Sequence, residues 1–249
     1  MELLTEIWRR AVSQQPDPPA AVVALMAALA VVLVVTPTLW PLTRLAVTIT
    51  HEGAHAFVAV LAGRRLQGIR LHSDTSGVTV SRGRASGPGM VAMLAAGYLG
   101  PAVVGVGAAL MLGAGFSLGL LWCYVLLLAL MLLQIRNFYG FAVVVGAGVA
   151  MAAISWFLSA PAQSAIAYLI TWVLLVAAPK PVVELARQRR RGHAGHSDAD
   201  QLARLTRVPG TLWTVLFLLA NLVGLVVGAV LLAPALRTVT EDLIGRLGT

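Results

Sequence analysis

The sequence predicts an all-α polytopic membrane protein of about seven transmembrane helices, with a short cytoplasmic β-hairpin after the second. Three observations predict it. Apolar residues make up 59% of the 249 positions and charged ones 11%, against roughly a half and a quarter in soluble domains, and mean hydropathy is +0.86. The apolar residues fall into runs of about 20, the length an α-helix needs to cross hydrocarbon. The charges collect between the runs.

The chain reads as one membrane-embedded domain over 1–249. Spans are expected at about 20–40, 42–62, 89–112, 117–134, 138–157, 162–179 and 210–234. Pro16, Pro18 and Pro19 precede the first and Pro41 separates the first two. Pro161 and Pro181 bracket the sixth, and Pro209 opens the seventh. Proline is tolerated at a helix entrance because the first amide protons have no intrahelical acceptor. The first nineteen residues carry Glu2, Glu6 and Asp17 beside Arg9 and Arg10. They therefore read as a tail and not as a cleaved signal.

Seven spans put the N-terminal tail and the loops at 63–88, 135–137 and 180–209 on one side, with 15 of the 18 Lys and Arg residues. Basic residues stay cytoplasmic. The expectation is a multi-pass protein of the cell membrane, its N-terminus cytoplasmic and its C-terminus on the opposite side. A net charge of +8 invites a nucleic-acid partner, but no aromatic or base-reading element accompanies the basic run Arg187 to Arg191. That run reads as a topology anchor lying against anionic lipid headgroups. The single cysteine, Cys123, excludes an intrachain disulfide framework and a cysteine-based zinc site. In its apolar run it reads as a small buried hydrophobe.

The second span contains His51-Glu52-Gly53-Ala54-His55. Residues four apart share a helix face, so His51 and His55 can grip one metal ion, and Glu52 can hold a water against it. Ionisable groups at mid-bilayer cost roughly 2–3 kcal/mol or more each, so a membrane helix that carries three has a use for them. The segment LQGIRLHSDTSGVTVSRG alternates apolar and polar residues on both sides of Ser73 to Gly77 and reads as a hairpin. Placed at the mouth of the site, Gly77, Val78 and Val80 would pair with an extended substrate strand by edge addition. The alternative is a plain connector, and His72 reads as a solvated loop residue. Gly97, Gly100 and Pro101 in the third span either serve close helix packing or shape a substrate cleft. Asn221 in the seventh span is expected to hydrogen-bond a neighbouring helix.

The segments HEGAHAFVAVLAGRRLQGIRL, SGVTVSRG and AAGYLGPAVVG occur in order. With HSDADQLARLTRVPGTLWTVLFLL at 196–219, they resemble the M50B-like branch of the site-2-protease class of intramembrane metalloproteases. The likeness covers 51–105 and 196–230. It implies cleavage of a membrane protein's transmembrane or juxtamembrane segment by one Zn2+ and water. His51 and His55 would be ligands and Glu52 the general base. Better-known members take a third ligand from an aspartate in a later span, and no aspartate lies in any span here. Asp198, in HSDAD, is the favoured substitute, with Asn137 and His196 as alternatives. Ser197 or Asp198 would also cap a helix through DADQLARL. Two other readings stay open. One is a catalytically silent scaffold or regulator on the same fold, for which the missing aspartate speaks. The other is a metal-ion or proton transporter using the same three ionisable groups.

Overall fold

The protein was analysed as a computed structural model, which describes residues 2–192 and 197–232. The elements are α1 (Glu2–Ala11), α2 (Ala20–Val35), α3 (Trp40–Leu61), β1 (Arg65–Leu71), β2 (Gly77–Arg82), α4 (Pro88–Gly113), α5 (Ser117–Leu132), α6 (Phe138–Phe157), α7 (Ala160–Ala177), α8 (Pro179–Arg190), α9 (Asp198–Thr206) and α10 (Gly210–Leu232). Four helical stretches are long and apolar enough to cross a bilayer: α4, α6, α7 continued by α8, and α10.

The expected seven spans are not reproduced, for three reasons. The first two do not form a pair of crossings: α2 and α3 meet at 99°, and together they count as a fifth candidate. Pro37 causes the break, because the residue before a proline is pushed out of the helical region. Thr36 is accordingly extended (φ −74°, ψ 119°). Helix α5 has 16 residues, short for a span. The sixth span does not stop at 179, since α8 prolongs it to Arg190.

The tail and the hairpin pack against different ends of α5. Gln15, just after α1, accepts from Ser117 Oγ and Leu118 N at the start of α5. Arg10 lies 4.6 Å over the Trp156 ring. The hairpin meets the other end of α5, where Ile69 N donates to Gln134 O at 2.8 Å. The tail and the 63–88 loop thus lie at opposite ends of α5.

The main core is built from α2, α4, α5 and α7, around Val23, Ala109, Leu112, Leu121, Tyr168 and Leu175. A second cluster fastens the hairpin: Ile69 and Leu71 of β1 pack against Ala56, Met131, Ile135 and Val144. The strands pair antiparallel, Leu71 opposite Gly77 and Arg65 opposite Arg82, with a bulge between Leu66 and Gly68. The outer edge of β1 is closed by the segment before α6. Arg136 N donates to Ile69 O, and the Asn137 amide makes two hydrogen bonds with the Leu71 backbone. Gly68 makes this approach possible: at φ +145° a side chain would be strained, and a Cβ would meet Gln134 O at 3.0 Å. The other edge, that of β2, has no strand beside it among the described residues. A third cluster joins α4, α8, α9 and α10 through Leu94, Val182, Leu185, Ala199, Leu202 and Phe217. Cys123, expected to be buried, is exposed on α5.

Candidate metal centre

His51 and His55 stand one helical turn apart on α3, and both rings reach the same point. Their Nε2 atoms are 3.0 Å apart. Asp198, the first residue of α9, brings Oδ2 to 3.3 Å from His51 Nε2 and 3.2 Å from His55 Nε2. Tetrahedral zinc with bonds of about 2.0–2.1 Å holds its ligand atoms about 3.3 Å apart. The three edges of this triangle therefore fit one zinc ion on one side of the plane. Two imidazoles and a carboxylate also suit zinc chemically and leave a fourth position open. Among the described residues this is the His, Cys, Asp and Glu group placed to hold a metal.

Each of the three side chains is fixed from behind. His55 is buried, and its Nδ1 lies 2.7 Å from Met93 O on α4. A carbonyl only accepts, so the Nδ1 proton points there and Nε2 keeps its lone pair for a cation. The His51 ring stands edge-on to His55 and to Tyr98, whose ring in turn stacks on Phe217 of α10. The backbone of α4 reaches the imidazoles because position 97 lacks a side chain: a Cβ on Gly97 would fall 2.6 Å from His51 Cε1. One turn on, a Cβ on Gly100 would fall 2.5 Å from Ala54 Cβ. Pro101, four residues after Gly97, removes the amide proton that would have bonded the Gly97 carbonyl. Gly100 and Pro101 are both buried at this seam.

Asp198 is held by the start of its own helix. Ser197 caps α9 in a reciprocal box with Asp200. The second Asp200 oxygen pairs with Arg189 of α8, so α9 is bolted to α8 two residues from the ligand. Burial alone would raise the Asp198 carboxyl. The hydrogen bonds and charges of His51 and His55 outweigh that and hold it below the ordinary carboxylate range. Asp200 is likewise lowered: Ser197 and Arg189 outweigh the burial that would raise it.

Glu52 is buried next to the pair, and β2 lies over it. Thr79 Oγ1 donates to Glu52 Oε2 at 2.6 Å. A Cβ on Gly77 would fall 2.6 Å from Glu52 Cγ. Thr48 of α3 donates to Thr75 O at 2.7 Å and pins the turn of the hairpin. Gly77, Thr79 and Ser81 therefore face the site, while Val78 and Val80 lie on the exposed face of the sheet.

The expected residues are thus found as follows. His51, His55 and Asp198 come together, with Glu52 beside them. Asn137 stands apart, both ends of its amide committed to Leu71. His196 lies outside the described residues. His72 is exposed, 3.2 Å from Ser76 Oγ. Asn221 donates to Tyr98 O across the α4–α10 contact, as its place in lipid requires. Sequence reasoning missed Thr79 and Arg189. The period-two alternation of the hairpin put Thr79 on the same face as Gly77, and that was the available signal.

The family model described as Peptidase M50B-like matches residues 23–228. No curated protein and no solved structure matches the chain.

Proposed function

From the premise that this chain belongs to the Peptidase M50B-like family, we propose that it is an intramembrane zinc endopeptidase that cleaves transmembrane or juxtamembrane segments of other membrane proteins. The observation that carries this reading is the convergence of His51 Nε2, His55 Nε2 and Asp198 Oδ2. It favours the enzyme over a silent scaffold, whose ground was the want of a third ligand. Bound there, zinc would supply a Lewis acid and bring a water's pKa to about 7.

The chain's own residues do the rest. The Glu52 carboxylate accepts the proton of the attacking water and later delivers it to the departing amide nitrogen. Thr79 holds one carboxylate oxygen, so the other is left for that exchange. Glu52 also lies under the hairpin, which keeps bulk solvent from it. A substrate segment must be extended to expose its carbonyl. The unpaired edge of β2 offers backbone groups to such a strand, with Val78 and Val80 on the exposed face of the sheet. Gly77, Gly100 and Pro101 contribute by letting backbone lie close to the site.

Arg64, Arg65, Arg70, Arg82, Arg84 and Arg136 flank the hairpin, and Arg187 to Arg191 end α8. By the positive-inside rule this end faces the cytoplasm, and α1 lies on the other side.

The test is cleavage of a membrane-protein substrate by the purified, reconstituted full chain. About one zinc per chain is expected, lost in His55→Ala. Glu52→Gln keeps the zinc and loses cleavage. Cleavage that survives Glu52→Gln removes Glu52 from the mechanism.

A further inference from the structure

Helices α8 and α10 run antiparallel, the arginine end of α8 beside the first turn of α10, where Arg189 covers Gly210. Between them lies a cleft of about 510 Å³, within the size range of small-ligand sites. Its walls differ from top to bottom. Arg187, Arg189, Arg190 and Thr211 line the mouth. Val182, Val183, Ala186, Val215 and Leu218 line the rest, with Thr214, whose hydroxyl is spent on Gly210 O, within the two stretches apolar enough to cross a bilayer.

The charge of the mouth is not neutralised. Arg187 and Arg190 are exposed, and no acidic partner reaches either among the described residues. Among the described residues no acidic side chain lines the cleft. Arg189 spends its terminal nitrogen on Asp200, while its Nε is buried without a hydrogen-bond partner. The first turn of α10 adds its positive dipole end at the same level.

We infer that this cleft is a binding site for one anionic phospholipid. The phosphate would sit among Arg187, Arg190 and Thr211, and an acyl chain would lie down the α8–α10 groove. A cationic rim above an apolar slot, inside a bilayer, matches an amphiphile with a negative head. A soluble anion would leave Val183, Val215 and Leu218 uncovered, and a zwitterionic lipid would leave the arginines unneutralised. The site is independent of the metal centre in its chemistry but adjacent to it, since Arg189 lines the cleft and also holds Asp200.

The test uses the full chain in nanodiscs of phosphatidylcholine, titrated with a fluorescent phosphatidylglycerol or a fluorescent phosphatidylcholine. Saturable binding of the first, at least tenfold tighter than the second, is expected. In the double variant Arg187→Gln, Arg190→Gln that preference should fall about tenfold or more. Val215→Trp fills the slot and leaves every charge in place, and it should weaken phosphatidylglycerol binding as well. Equal affinity for the two lipids overturns the proposal. So does a double variant that keeps the preference. Full binding in Val215→Trp, or full displacement by millimolar inorganic phosphate, would reduce the site to a surface anion patch and would overturn it too. Zinc content, measured in parallel, reports on the metal centre separately.

Discussion

Gly97 on α4 lies against the ring of His55 on α3, so closely that the imidazole occupies the space a side chain would need. The two helices are thereby held at the separation that lets His51 and His55 face one point. Gly97→Ala should force α3 and α4 apart, at a cost of about 1–3 kcal/mol for overpacking. Lower thermal stability together with reduced zinc content is expected. A variant that melts and binds zinc like the wild type would show that the contact does not set the site.

Asp198→Asn keeps the shape of the third side chain and removes its charge. Amide oxygen is a poor zinc donor beside carboxylate. Zinc affinity, measured by competition with a chelator, should fall by about 100-fold or more, exceeding the 10–100-fold typical of outer-shell changes. Unchanged affinity would place the third ligand elsewhere.

Thr79→Val removes the proton that holds Glu52 Oε2. A hydrogen bond to a charged group is worth about 1.5–3 kcal/mol. Cleavage should slow by about tenfold or more with zinc content unchanged, and Thr79→Ser should restore it. If serine does not restore the rate, the threonine acts by packing alone.

Arg189→Met breaks the clamp on α9. The Asp200 carboxylate then keeps the hydroxyl and backbone amide of Ser197, and α9 is free to shift Asp198. Zinc affinity should drop by about 10–100-fold, with helical content preserved by circular dichroism. Asp200→Asn should produce a similar loss, and the double variant should lose little more than either single one. Additive losses would mean the two residues act separately.

Much of this arrangement was legible in the sequence because it is local. The His-x-x-x-His register needs only helical periodicity. The α6 boundaries, 138–157, follow from an apolar run of spanning length. The Ser197 cap follows from a polar cluster before a periodic segment. What escaped depends on distant contacts or on competing proline effects. Pro41 looked like the divider of two spans, whereas Pro37 ends α2 and sends α3 off at 99°. Pro181 looked like a stop, yet it sits with Pro179 in the first turn of α8, where the missing amide protons cost nothing. The bond between Thr79 and Glu52 crosses from sheet to helix: the alternation of the hairpin gives the face of Thr79 but not its partner.

The carboxylate that completes the ligand triangle comes from Asp198, while both imidazoles come from α3. During synthesis the ribosome releases α3 and the hairpin long before α9 exists. A growing chain therefore holds two of the three side chains of this cluster while the rest of the protein is still being made. A metal site that needs all three side chains is therefore completed only after α9 has been made.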